Sequence, residues 1–189
     1  MAAGRQLLEE EGPEALTMRR LAERVGMRAP SLYKHLPDKA ALEAAIIATG
    51  FEEAAAAFEQ AVDDADGRPR GGAGGRPGGG SGGEADGGSD GGAGDGLVAL
   101  AAAYRRFALE HPHLYRLMNN GPLPREHLPA GLENRTAAPL LRVAGSHARA
   151  RAVWAFAHGM VMLELDRRFP PDADLDAAWR AGIAAFQAG

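Results

Sequence analysis

Residues 17–42, TMRRLAERVGMRAPSLYKHLPDKAAL, decide how this chain is read. They hold two short helical patterns joined at Gly26, and the second pattern is rich in bases and carries an aromatic hydroxyl. Thr17 suits the N-cap of the first helix, because its hydroxyl can accept an orphan backbone N–H of the first turn. Met18, Leu21, Ala22 and Val25 then repeat at i, i+3, i+4 and i+7, giving one apolar stripe to bury. Gly26 is expected to stop that helix, since it enters the left-handed region without a Cβ penalty. The second helix is expected to begin around Pro30, whose fixed φ suits a first turn, and to end at Pro37. Leu32 and Leu36 would then face inward, leaving Ser31, Tyr33, Lys34 and His35 on the outer surface. Asp38 is placed to cap the helix that follows. This is the pattern of a helix-turn-helix that reads DNA.

Charge supports the same reading. The whole chain carries 21 basic against 25 acidic side chains, so its bulk field does not attract nucleic acid. Residues 17–39, however, hold Arg19, Arg20, Arg24, Arg28, Lys34 and Lys39 against only Glu23 and Asp38, a local +4. Such a patch is the footprint of a surface that meets phosphates. Thr17, Tyr33 and Lys39 are expected to clamp phosphate and set register. Arg28 and Lys34 suit guanine, Ser31 and His35 suit base or phosphate, and Pro30 completes the set at the start of the reading helix. An alternative for Tyr33 is packing against the long helix that follows.

Leu21-Ala22, Gly26, Leu32-Tyr33, His35, Pro37, Lys39 and Leu42 together resemble the DNA-binding domain of the TetR family of bacterial transcriptional regulators. The resemblance covers residues 1 to about 60. Trp154, His158 and Gly159, in WAFAHGMVMLEL, look like a C-terminal sensing domain named for its Trp, His and Gly, and FALEHPHLYRLM at 107–118 is similar to the same subfamily. Two positions depart from the pattern. Arg28 stands where the family commonly has a capping Ser, and the loss of such a cap costs about 1 kcal/mol. Leu36 replaces the usual Phe beneath the reading helix. The resemblance implies an all-α protein: an N-terminal three-helix, homeodomain-like reader followed by a helical ligand-binding and dimerisation domain. It also implies repression, relieved or imposed by a small-molecule effector.

Composition removes other classes. The chain has no Cys, so disulfides, thiolate metal sites and cysteine nucleophiles are unavailable. It has no apolar run of membrane-spanning length and no basic-then-apolar leader, so the expectation is a cytoplasmic protein without a membrane partner. His111, His113, His127, His147 and His158 beside Tyr115 could be imagined as a metal or acid–base cluster. Yet no His-Glu-x-x-His, paired-carboxylate or nucleophile-elbow arrangement occurs, so neither enzyme activity nor a cofactor is expected. Residues 66–96 contain 16 Gly and no large apolar side chain. Nothing there offsets the entropy of ordering, which predicts a disordered insertion.

The chain accordingly divides into a reader, 1–45, and a sensing and dimerisation domain, 46–189, that contains the 66–96 insertion. Helices are expected over 2–11, 39–64, 97–110, 112–119, 132–143, 146–168 and 175–187, with a loop over 120–130 and no strands. The helix 146–168 is apolar on two faces and must be covered from two sides. Val153, Ala157, Met160 and Glu164, with Trp179, Ile183 and Phe186 of the last helix, are assigned to a two-fold dimer interface. Gly159 and Gly182 would let backbones approach closely. Tyr104, Phe107, Tyr115, Met118, Trp154, His158 and Met162 are nominated for an effector pocket, against the plainer reading that they fill a core. The DNA partner would be a palindromic duplex bound by the homodimer. The competing reading is a helical ligand-binding or interaction protein without DNA-binding function.

Overall fold

The computed structural model describes residues 1–67 and 90–187, and every regular element among them is helical. In chain order these are α1 (Ala2–Glu11), a 3-10 turn (Pro13–Ala15), α2 (Met18–Arg24), α3 (Ala29–Leu32) and α4 (Lys39–Ala65). After the undescribed stretch come α5 (Asp90–Glu110), α6 (Pro112–Asn119), a 3-10 turn (Arg125–His127), α7 (Leu132–Ala144), α8 (His147–Leu165) and α9 (Leu175–Gln187). The all-α architecture with an N-terminal helix-turn-helix is as the sequence implied.

Local chemistry sets the boundaries of the reader. The Thr17 hydroxyl accepts the Arg20 N–H at 3.2 Å and opens α2, and the Asp38 carboxylate accepts the Ala41 N–H at 2.8 Å and opens α4. Gly26, at φ 67°, closes α2: its N–H donates to the Glu23 carbonyl while the Met27 N–H reaches back to that of Ala22. This pair of bonds is the Schellman motif. Beneath α2 and α3, the side chains of Leu7, Leu8, Leu16, Met18, Leu21, Leu32, Leu42 and Ile46 form one buried cluster.

The same core continues along α4 into the second half of the molecule. Ala54, Phe58 and Val62 pack with Leu97, Leu100 and Phe107 of α5 and Val143 of α7, and Val153, Ala157 and Val161 of α8 close the far side. The helix α4 therefore belongs to both halves. At Gly50 it has no side chain to hold α6 away: an added Cβ would stand 2.6 Å from Met118 Sδ and 3.0 Å from Leu114 Cδ1.

Four expectations need correction. The regular part of the reading helix ends at Leu32 and passes into turns through His35, although the Leu36 N–H still reaches the Leu32 carbonyl. Pro37 biases the residue before it against helix, which unwinds so short a segment. Val25 is not buried with the stripe of α2, because it lies past the last helical residue as the chain turns away. Residues 90–96, expected to be disordered, are the first turns of α5. Gly96 is buried there, and a Cβ on it would meet Val143 Cγ1 at 2.9 Å, so glycine is what permits the close approach. The expected disorder of 68–89 lies outside the described residues. Finally, α8 stops at Leu165, not Arg168, with Arg167 in the left-handed region at φ 52° completing a second Schellman motif. A non-glycine residue there costs about 1–2 kcal/mol.

Candidate nucleic-acid interface and aromatic cluster

The surface that the sequence assigned to DNA is present and open. Arg28, Pro30, Ser31, Tyr33, Lys34, His35 and Lys39 are all exposed, running from the residue before α3 to the first residue of α4, while Leu32 between them is buried and anchors the segment. Tyr33 is 49% exposed. Thr17 differs from the rest: it is half-buried and its hydroxyl oxygen is engaged as a helix cap. Val25 and Met27, both 39% exposed, flank the turn glycine on this side of the fold. Periodicity had placed Val25 in the buried stripe, and Met27 lies between the two helices, where periodicity has no hold.

The local positive charge is less free than its count suggests. Arg19 pairs with Glu23 at 2.9 Å and Lys39 with Glu43 at 3.4 Å, each one helical turn away. Arg20 and Arg24 are held by Glu11 and Glu10 of α1. Among the described residues only Arg28 and Lys34 of the six bases have no carboxylate partner. These two flank α3, Arg28 just before it and Lys34 in the turn after it, so the unpaired charge is concentrated where base edges would be read.

The nominated pocket residues converge only in part. Tyr115 is 2% exposed at the centre of a hydrogen-bonded chain: its hydroxyl lies 2.8 Å from that of Tyr104 and 2.7 Å from Nδ1 of His158. Burial pushes both phenols up, Tyr115 more strongly because Tyr104 adds to it, and burial lowers the His158 imidazole, so the chain is held neutral. The Tyr104 ring stacks on Phe58 at 5.7 Å and meets Tyr115 edge-on at 5.8 Å, and Phe107 sits edge-on to Phe58 at 6.3 Å. Phe58 is thus a member that sequence reading had assigned only to the linking helix. Met118 turns toward Gly50, Met162 is half-buried, and Trp154, half-exposed, borders the cluster, hydrogen-bonded to Tyr104 and 6.3 Å from the His158 ring. A cleft of about 470 Å³ lies elsewhere, lined by Arg5, Gln6, Glu9, Thr49, Glu53 and His111. Among the described residues no group of His, Asp and Glu is arranged to hold a metal.

Comparison with known proteins completes the identification. Residues 1–46 match the bacterial regulatory proteins of the tetR family, and residues 97–186 match the tetracyclin repressor-like C-terminal domain. The chain belongs to the TetR family. It is a DNA-binding transcriptional regulator, of a family whose members are ligand-responsive repressors and not enzymes. It is similar to the uncharacterized HTH-type transcriptional regulator Rv0681 of Mycobacterium tuberculosis, 26% identical over 191 residues that take in 96% of this chain and 75% of that protein. A protein of unknown function from Rhodococcus sp. RHA1 shares the fold with a TM-score of 0.70 at 24% identity, over 100% of this chain and 91% of that one. So does a TetR variant from Acinetobacter baumannii AYE, solved in complex with minocycline, with a TM-score of 0.59 at 24% identity over 100% and 92%.

In this TetR-family regulator the face of α8 that the sequence reading assigned to a partner protomer packs within the protomer. Val153, Ala157, Trp179 and Ile183, assigned to a dimer interface, are at most 6% exposed within a single protomer. Met160 and Phe186 are partly buried against the same core. Glu164 accepts from Arg105 of α5 at 2.7 and 3.0 Å and lies 3.4 Å from the Trp179 indole nitrogen, while Arg105 also pairs with Asp176. The Glu164 bonds raise the Arg105 guanidinium, and Arg105 in turn lowers Asp176. The outer side of α8 instead carries Ala155, Gly159 and Leu163, with Ala178, Ala181 and Ala185 exposed on α9, while Trp154, half-exposed, stands on the other flank of α8. Gly182 does bring elements close, but inside the protomer, where an added Cβ would overlap the Phe156 ring at 2.0 Å. Among the described residues no helix is long and apolar enough to cross a membrane.

Proposed function

We propose that this regulator binds a palindromic operator as a homodimer and represses from it until a small-molecule effector binds the second half of the chain. The observation that carries the DNA reading is the exposed, unpaired set Arg28, Ser31, Tyr33, Lys34 and His35 on a segment pinned by buried Leu32. A two-fold dimer would set its reading helices about 34–36 Å apart, the spacing of successive major grooves. The exposed residues of α8 and α9 support the dimer: Ala155, Gly159, Ala178, Ala181 and Ala185 admit close helix contact, and Leu163 supplies apolar area. Dividing the chain near residue 45 assigns α1 to α3 and the start of α4 to reading and the remainder to sensing and dimerisation.

Phe58, Tyr104, Phe107, Tyr115 and His158 are the best candidates for effector contact, because rings and hydroxyls converge there. Since these rings touch one another, an effector enters by selecting a conformation in which they part. It shifts DNA binding only by its differential affinity for the two conformations. Trp154, His158 and Gly159 support assignment to the Trp-His-Gly subfamily, with the histidine bonded inward, the tryptophan half-exposed and the glycine facing open space. A cytoplasmic location follows from the task of reading chromosomal DNA.

The test is binding of wild type and Tyr33→Ala/Lys34→Ala to the DNA upstream of the regulator's own gene across a salt series. Tight, salt-sensitive binding localised to an inverted repeat, and lost in the double variant, supports the reading. No binding there, and no duplex enriched from random sequence, overturns it.

A further inference from the structure

The last turn of α1 is EEE, residues 9–11, with no base in it. Three carboxylates at a helix C-terminus oppose the macrodipole, so local helix chemistry does not account for them. Each has a tertiary partner instead. Glu9 reaches out of the reader to the start of α6: its Oε1 accepts the Leu114 N–H at 2.9 Å and its Oε2 the His113 N–H at 3.3 Å. These are the donors a helix leaves orphaned at its N-terminus. Pro112 at the first position has no N–H, and His111 contributes no side-chain cap, so Glu9 performs the capping of a helix about a hundred residues away in sequence. Glu10 and Glu11 point the other way, holding Arg24 and Arg20 of α2. The residue after the two capped amides is Tyr115, the centre of the Tyr104–Tyr115–His158 chain.

We propose that Glu9, Glu10 and Glu11 are positioning residues that form the joint between the sensing half and the helix-turn-helix, with α6 gripped on one side and α2 on the other. A displacement of Tyr115 moves the first turn of α6, which carries Glu9 and the end of α1, and the two exposed ion pairs pass that motion to α2. Exposed pairs are individually weak, which suits a joint that must yield. Phosphates approaching Arg20 or Arg24 compete with Glu10 and Glu11 for the same guanidinium groups, so DNA loads the joint from the opposite end.

The test reads hydrogen exchange at the His113 and Leu114 amides in the full chain. Arg20→Gln/Arg24→Gln cuts the joint on its far side, at residues that share no hydrogen bond with α6. The expected result is exchange about two- to fivefold faster at these two amides, with α8 amides unchanged. Should that variant fail to fold, Glu10→Gln/Glu11→Gln removes the same pairs from α1 and reads the same link. Wild-type rates at both amides, or acceleration shared by the whole chain, would overturn the proposal. A second arm adds the duplex recovered by random-sequence selection, which is expected to slow the two amides in wild type but not in Glu10→Gln/Glu11→Gln. Only this arm rests on the DNA reading. If selection recovers no duplex, that reading fails while the free-chain result still decides the joint.

Discussion

Tyr33, in the turn after α3, and Tyr115, on α6, stand in the two halves of the chain, and their surroundings are opposite. Tyr33 is 49% exposed with no partner among the described residues, whereas Tyr115 is 2% exposed and bonded to both Tyr104 and His158. The contrast extends to the charges. Arg28 and Lys34 end in water, while Arg105 is bound by Glu164 and Asp176. A buried polar group must find its partner within the fold, because leaving it unmatched costs the full desolvation penalty. A group at the surface is under no such demand and stays available to a ligand. Arg28, Tyr33 and Lys34 are therefore left uncommitted, while Tyr115 and Arg105 serve cohesion within the second half.

The largest effect that would break this contrast belongs to the reader. Arg28→Ala or Lys34→Ala should lower operator affinity about 10- to 100-fold if the side chain reads a base. One that contacts only phosphate should reduce the salt slope by about 1. Thermal unfolding should be unchanged in both, since neither side chain has an internal partner. In the sensing half the order reverses. Glu164→Ala strips the acceptor from Arg105 and the Trp179 indole and should cost about 1.5–3 kcal/mol in denaturant unfolding, with DNA affinity of the folded molecules unaltered.

Two glycines sharpen the picture further. Gly182→Ala drives a methyl into the Phe156 ring and should destabilise by about 1–3 kcal/mol. Gly159→Ala meets nothing within 4 Å and should stabilise α8 by about 0.5–1 kcal/mol. Gly159→Leu should leave protomer unfolding nearly unchanged and, where the proposed dimer forms through this part of α8, raise its dissociation constant in sedimentation. The smallest expected effect is on pH. Burial lowers His158 from its ordinary 6.5, so the unfolded chain takes up the proton more readily. Stability from this group is complete above about pH 6.5 and is lost as pH falls toward the folded-state value, a dependence that His158→Gln should remove from a series of melting curves.

What was legible in the residues is what short-range physics controls. Thr17, Asp38 and Gly26 act on backbone groups within five residues, so their roles as caps and stop could be read from spacing alone. The exposed reading surface followed from the same patterns, because Leu32 fixes which way the rest of α3 points. Even here a limit shows at Val25, which continued the stripe in sequence but lay beyond the helix that gave the stripe meaning.

The sequence by itself determined the helix-turn-helix, the succession of helices and the residue types able to meet DNA, since propensity, capping and apolar period operate within a few turns of chain. Only the tertiary structure decided which face of α8 is core. An all-round apolar helix has no periodic signal to choose between faces, and the choice fell to Phe156 against Gly182 and to Arg105 reaching Glu164 from α5. The pairing of Glu9 with α6, and of Glu10 and Glu11 with α2, was likewise hidden, because a carboxylate's partner across a hundred residues is set by where the core brings the helices together.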